Sequence, residues 1–295
     1  MVIVQLYGGL GNQLFQYAMG RRIALDNKVE LKLDLSAFET YKLHKYCLFH
    51  FNILENTATG KELRTIQSLR HGNGFADKLR RLKEKILPGF LKYNFVQKKV
   101  GFEPDVLNVR GEVYLEGYWQ SEKYFKVVED IIRKEFSFKT PPSDENRKIG
   151  VEISGCDSIS IHVRRSDYVN DSRTNSVHGT CPLQYYTAAV DKITEGVANP
   201  VFYVFSDDHN WVRKELKIDF PTVYVTNNNA DTNYEDLRLM SLCKHNIIAN
   251  SSFSWWGAWL NRNAGKKVIA RREWFNSNVV NYDIDDIVPQ DWIKI

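Results

Sequence analysis

Cysteine is scarce in this chain, and the few cysteines stand apart. Cys47, Cys156, Cys181 and Cys243 make no C-x-x-C pair, which argues against a zinc site, a redox dithiol or a disulfide framework. That pattern reads as a reducing, cytoplasmic protein. Long apolar runs are missing as well. No window approaches the ~18 uninterrupted apolar residues that cross a bilayer. The opening MVIVQLYGGLGNQ has no basic leader and no small-residue cleavage site, so it does not read as a signal peptide. Excess charge is the third absence. Lys plus Arg number 40 against 36 for Asp plus Glu, a net charge of +4. No Lys/Arg stripe carries interleaved aromatics, so nucleic acid is not an expected partner. The small positive surplus suits an anionic small ligand.

What is present is enough chain for two domains: 295 residues, 43% hydrophobic and 26% charged. The first half is irregular. Val2 to Leu6 is a short β-rich run, followed by Gly8-Gly9-Leu10-Gly11-Asn12-Gln13. Leu14, Tyr17, Ala18, Arg21 and Leu25 then recur at helical spacing. Val29, Leu31, Leu33 and Leu35 alternate with polar residues as a strand does. Residues 55 to 100 are rich in Lys and Arg, with a helical pattern from Phe75 to Ile86. Tyr114 to Trp119 reads as a strand. Ser121 then caps a helix with Phe125, Val128, Ile132 and Phe136 on one face. Thr140 to Asn146, with two prolines among polar residues, reads as a linker. The expected domains are 1–140 and 147–295.

The second half alternates. Strands are predicted at Ser158–Val163, Val201–Phe205, Thr222–Thr226, Asn246–Ala249 and Lys267–Ala270. Helices are predicted at Leu183–Ile193, His209–Leu216, Tyr234–Lys244 and Phe253–Asn263. Such alternation implies βαβ units and a parallel sheet, whose ligands bind beyond the carboxyl ends of its strands. Three polar clusters fall at those ends: His162-Val163-Arg164-Arg165-Ser166-Asp167, Ser206-Asp207-Asp208 and Asn250-Ser251-Ser252-Phe253-Ser254.

Each cluster has a functional and a structural reading. His162 and Arg164 share a strand face, and a guanidinium there can clamp a pyrophosphate. Arg165 and Asp167 read as a salt-bridged turn. The Asn250–Ser254 run offers hydroxyls and backbone N–H groups at a helix start, which is an anion site or plain N-capping. Trp255, Trp256 and Trp259 read as helix packing. Asp207 is either a helix-start acid or a carboxylate for a base or ribose, at even weight. The Gly8–Gln13 run lacks the G-x-G-x-x-G spacing, because position 14 is Leu, and no Walker A motif follows. It remains a glycine turn with Asn12 and Gln13 as donors, or simply a tight strand–helix turn. Asp283-Ile284-Asp285 reads as a solvated loop.

The runs Gly8 to Ala18, His162 to Tyr168 and Asn250 to Gly257 together resemble the bacterial α-1,2-fucosyltransferases of glycosyltransferase family 11. Gly117 to Phe125 looks similar as well. The resemblance implies an α/β, GT-B-like fold of two Rossmann-like domains facing a cleft. The C-terminal domain would hold GDP-L-fucose and the N-terminal domain would receive the acceptor. Arg164 would meet the β-phosphate. His162, Asp207, Asn250, Ser252, Phe253 and Ser254 would line the donor, joined by Gly9, Gly11, Asn12 and Gln13 from the first domain. Ser166 stands where the family motif often has Gly.

The implied reaction is inverting transfer of L-fucose to the 2-hydroxyl of a galactose-terminated glycan in surface polysaccharide. Arg164 and Asp167 are the expected catalytic pair; Glu116 and Asp34 are the other candidate bases. No cofactor and no metal are expected. Another GDP-sugar transferase, of the α-1,6- or protein O-fucosyl type, and a non-catalytic glycan- or nucleotide-binding module are the competing readings. The basic run Lys78 to Lys85 is read first as a solvated helix and second as a peripheral contact with the inner membrane.

Overall fold

Short β-branched runs ended by glycine or by a polar cluster become the strands. The computed structural model describes residues 1–40, 43–71, 94–165, 168–169, 171–276 and 280–295. The chain divides into two units, Met1–Lys139 and Thr140–Ile295. The predicted helix from Phe75 to Ile86 and the basic run within it lie outside the described residues. Among the described residues, no helix is long and apolar enough to cross a membrane.

The first unit contains β1 (Val2–Gln5), α1 (Leu10–Asn27), β2 (Leu31–Asp34), α2 (Ala37–Thr40), α3 (Gly60–His71), β3 (Asn94–Val96), β4 (Val113–Glu116) and α4 (Glu129–Glu135). Its sheet runs β2-β1-β4-β3 and every pairing is parallel. Val2, Ile3 and Val4 are fully buried, as expected of a parallel sheet covered on both faces. Ser121 does cap, but it caps the 3-10 turn Glu122–Tyr124. A second 3-10 turn, Lys126–Val128, precedes α4. Phe125, Ile132 and Phe136 are nonetheless buried, as their spacing predicts.

The second unit contains α5 (Asp144–Ser154), β5 (Asp157–Val163), α6 (Ser172–His178), α7 (Leu183–Thr194), β6 (Pro200–Ser206), α8 (His209–Glu215), β7 (Thr222–Val225), α9 (Asn233–Leu242), β8 (His245–Ile247), α10 (Ser252–Leu260), β9 (Val268–Ala270), α11 (Ile284–Ile287) and β10 (Ile293–Lys294). The sheet order is β10-β9-β8-β5-β6-β7, parallel throughout. The α/β class with parallel sheets is therefore as expected.

The expected linker is shorter than read, because Ser143 restarts the chain as a helix. Its Oγ accepts the Asn146 N–H, and Asp144 and Glu145 occupy the first turn, where the helix dipole favours acids. Asp283 likewise caps α11 by accepting the Asp285 N–H at 2.9 Å, so this run is a helix start rather than a loop.

The central strand β5 separates two chemistries. Ile159, Ile161 and Val163 pack with Tyr185, Tyr186 and Ile193 of α7. The alternate face carries Ser158, Ser160 and His162, all buried. Ser158 Oγ accepts the Lys244 N–H at 3.1 Å, and Ser160 Oγ accepts from Asn246 Nδ2 at 2.7 Å. The row is thus satisfied side chain by side chain until it reaches His162 at the strand end.

In the first unit, α1 lies on β1 and β2 through Gly20. A Cβ there would stand 2.8 Å from Val4 Cγ1 and 2.9 Å from Leu31 Cδ1. On helix propensity alone, Gly20→Ala should stabilise by about 0.5–1 kcal/mol. Val4 and Leu31 are buried strand residues that cannot swing away, and overpacking costs about 1–3 kcal/mol. The second effect should win, so Gly20→Ala should lower the denaturant midpoint. A raised midpoint would show that the helix can lift at no cost.

Candidate functional site

Strand order in the second unit singles out one place. From β5 the sheet grows through β6 and β7 in one direction and through β8, β9 and β10 in the other. The connections therefore diverge beyond the carboxyl ends of β5 and β8, the crevice where open parallel sheets bind ligands. All three polar clusters of the second unit leave the sheet beside this point.

Arg164 and Arg165 have different surroundings. Arg164 Nη1 lies 3.1 Å from Asp207 Oδ2, with the two side chains 28% and 22% exposed. The other Asp207 oxygen, Oδ1, accepts the Arg165 backbone N–H at 2.9 Å. Arg165 turns its own guanidinium over the Trp211 ring, 4.1 Å from the centroid, and pairs with Asp208 at 3.4 Å. Asp208 in turn caps α8 by accepting the Trp211 N–H. Arg165 is thus bound to the start of α8 through Asp208, whereas the turn expected of it is a salt bridge with Asp167. Ser166 and Asp167 lie outside the described residues.

The third cluster divides in an unexpected way. Asn250 is 1% exposed. Its amide nitrogen is shared among the carbonyls of His178, Gly179 and Trp274 at 2.9, 3.1 and 3.1 Å. Its Oδ1 accepts from Cys181 Sγ at 3.3 Å. An amide so surrounded holds three segments together and has no side-chain proton left over. Ser254 is turned inward as well. It is 0% exposed, and its hydroxyl points back to the carbonyls of Ser251 and Ala249. Ser251 caps α10, which leaves half-buried Ser252 and Phe253 at the exposed edge of the turn. Trp255, Trp256 and Trp259 are buried, as packing residues should be.

His162 is 5% exposed, and its Nδ1 has no hydrogen-bond partner. The Phe253 ring lies 5.4 Å from the imidazole, so the ends of β5 and α10 touch through these two side chains. Tyr168, which closes the His162 to Tyr168 run but has no role of its own in the sequence reading, completes the wall. Tyr168 stacks on His178 with ring centroids 5.0 Å apart, and its hydroxyl donates to the Asn250 carbonyl at 3.1 Å. The Arg164 guanidinium stands 6.0 Å from the Tyr168 ring. An aromatic four residues after the arginine was the available signal.

In the first unit the glycine turn leaves β1. Gly8 adopts φ +77, which favours glycine, and a Cβ there would push on the Asn12 amide at 2.8 Å. Gly9 is the N-cap of α1, and Gly11 lies in its first turn. Asn12 Oδ1 accepts from Gln120 Nε2 at 2.7 Å, tying the turn after β1 to the turn after β4. Both protons of the Gln13 amide are taken, by the carbonyls of Gly8 and Lys45 at 2.8 Å each, and its Oε1 accepts the Cys47 N–H. It shapes the loop and has no donor to offer a ligand. Asp34 is corrected as a candidate base. It is 1% exposed, with Oδ2 receiving the Tyr114 hydroxyl at 2.6 Å and Oδ1 the Ser36 N–H at 2.9 Å. Among the described residues, no group of three His, Cys, Asp or Glu side chains forms a metal site.

Comparison with known proteins agrees with the motifs. The model of Glycosyl transferase family 11 matches residues 76–295. An α-1,2-colitosyltransferase of Escherichia coli is 33% identical over 100% of this chain and 99% of its own. The chain belongs to glycosyltransferase family 11. A second relative of this family 11 glycosyltransferase, the O-antigen biosynthesis glycosyltransferase WbnK of Escherichia coli, is 33% identical over 92% of this chain and 94% of its own. Among solved structures, a point mutant of Arabidopsis thaliana FUT1 in complex with GDP shares the fold at a TM-score of 0.52. It is 12% identical and matches across 91% of this chain and 69% of that one.

The buried imidazole makes the transferase acid-sensitive. Burial, reinforced by the neighbouring Arg164 charge, lowers His162 from the ordinary 6.5 to about 3. The unfolded chain therefore takes up a proton near pH 6.5 that the folded chain refuses until about pH 3. The stability that His162 contributes is complete above that window and is lost as pH falls through it, at up to about 1.4 kcal/mol per pH unit. Chemical denaturation from pH 6.5 to 4 should show a shallower loss for His162→Gln than for the parent. Parallel curves would mean that the imidazole is charged in the fold.

Proposed function

We propose that this family 11 glycosyltransferase moves L-fucose from GDP-β-L-fucose to the 2-hydroxyl of a terminal galactose, with inversion, during surface polysaccharide synthesis. The observation that carries the reading is Arg164, held by Asp207 at the divergence of β5 and β8. Arg164 itself lies in the His162–Tyr168 motif, and the turn after the neighbouring strand β8 carries the Asn250–Gly257 motif.

The chemistry follows from charge. Departure of GDP leaves negative charge growing on the β-phosphate while the sugar becomes oxocarbenium-like. Arg164 and the N-terminal N–H groups of α10 at Ser252 and Phe253 would meet that charge as it forms. Asp207 would then position the guanidinium, a different task from its expected contact with guanine or ribose. His162 and Phe253 line the same turn. Gly9, Gly11 and Asn12 remain the proposed contribution of the first unit to donor binding. An inverting displacement needs one base at the acceptor hydroxyl. With Asp34 fully engaged, Asp167 and Glu116 stay in that role.

The names of the two relatives bear on the sugar and the setting. One is an α-1,2-colitosyltransferase and the other an O-antigen glycosyltransferase. Transfer of colitose in place of fucose is therefore the second reading, and donor competition separates the two. Presented with both activated sugars and a galactoside panel, the protein should form a fucosyl-α-1,2-galactose product, identified by linkage analysis. In that assay Arg164→Ala should lower kcat by roughly a hundred-fold or more. Arg165→Ala should cost far less. Equal losses would mean that the two arginines share the phosphate.

Every polar group proposed for the phosphates is a donor, so no essential metal is proposed. A divalent ion bridging the diphosphate would crowd Arg164 at the same oxygens. Excess EDTA should leave most of the transfer activity, and Mg²⁺ should add little. Near-complete loss on chelation, restored by one particular metal, would make Asp207 or Asp208 a ligand and overturn this pocket.

A further inference from the structure

The turn after β4 is built under strain, and the strain has a product. Trp119 adopts φ +55, a region that bulky side chains rarely occupy. The ring is 0% exposed and packs at 5.5 Å against Tyr124 and at 6.1 Å against Phe95. Gln97 Oε1 accepts the backbone N–H groups of both Tyr118 and Trp119, at 2.9 and 3.0 Å. Gly117 leaves room for this arrangement, since a Cβ there would stand 2.5 Å from Gln97 Cβ and 2.8 Å from the Trp119 ring. Gly117, Gln97 and Trp119 therefore over-determine a sharp turn. Its effect is to bury one aromatic ring and turn the preceding one, Tyr118, outward.

Tyr118 is 47% exposed. It stands edge-on to Tyr7, with ring centroids 4.9 Å apart and an interplanar angle of 63°. Tyr7 follows β1 and Tyr118 follows β4, two adjacent central strands, so both rings stand at the carboxyl edge of the first sheet. The Asn12–Gln120 hydrogen bond joins the same two turns. Burial chiefly, then Tyr118 and the charge of Glu116, the last residue of β4, raise the Tyr7 phenol above its ordinary value. A fixed aromatic face thus sits beside amides and a carboxylate. A pyranose matches that set: its C–H face lies on a ring, and its hydroxyls exchange hydrogen bonds with amides and carboxylates.

We propose that Tyr118, backed by Tyr7, is a saccharide-stacking subsite of the first unit, with the Asn12–Gln120 pair and Glu116 as its polar edge. Its occupant is the non-reducing sugar of the acceptor, an assignment that rests on the transferase reading above. The subsite itself rests on the aromatic pair and its strained support.

Saturation-transfer difference NMR with methyl β-D-galactopyranoside, at saturating GDP, tests it. The parent protein should transfer magnetisation mainly to the C–H protons of one sugar face. Tyr118→Ala should bind roughly ten-fold more weakly, and Tyr118→Trp should restore binding. Tyr118 is exposed, so its variants should melt with the parent and keep the same thermal shift with GDP. No signal in the parent, or equal signals in the parent and Tyr118→Ala, would overturn the subsite. Failure of the transferase reading shows elsewhere, as the absence of GDP-fucose turnover by the parent. That result would leave the sugar-binding comparison intact.

Discussion

Asp207 is the residue on which the candidate site depends. One of its oxygens meets the Arg164 guanidinium and the other accepts the backbone N–H of Arg165. A single carboxylate on the β6 turn thus fixes both the backbone and the leading side chain of the β5 turn. The neighbouring acid, Asp208, caps α8 and draws Arg165 over Trp211. Two adjacent acids and two adjacent arginines are sorted into one pair at the divergence of the sheet and one pair built into a helix start. The ion pairs are partly exposed, so each adds little to stability by itself. Their consequence is orientation: the Arg164 guanidinium is held in place by the fold, as the proposed role at a phosphate would require.

The same economy governs the amide side chains. Asn250, Gln13 and Asn246 each bind two or more segments from beneath a turn. Asn250 and Gln13 lie in the family motifs and Asn246 in β8, and the hydrogen-bonding groups of all three are used internally. Buried amides must be satisfied, and parallel strands with short connections leave many carbonyls at the sheet edge. Asn250 braces the turn that leads to Ser252 and Phe253, and Gln13 braces the glycine turn of the first unit.

Much of this was legible in the residues alone. The strands and helices of the second unit are visible because β-branched runs alternate with helical stripes. The division of labour between Arg164 and Arg165 follows from strand alternation. The structural roles of Asn250, Ser254, Gln13 and Asp34 were not visible. Their partners, such as Trp274 for Asn250 and Tyr114 for Asp34, come from distant segments that spacing does not link to them. The strained Trp119 was hidden for a different reason: a positive φ on a bulky residue is forced by packing, and no local propensity announces it. The helix at Asp144 was masked by the two prolines just before its cap.

The central claim is that one nucleotide diphosphate sits where β5 and β8 diverge. Hydrogen–deuterium exchange with and without GDP measures this directly. The account predicts slowed exchange in the peptides that carry Arg164, Asp207 and Ser252, with the far edge strands β7 and β10 unchanged. Protection that spared those three turns, or appeared only at the sheet edges, would contradict it.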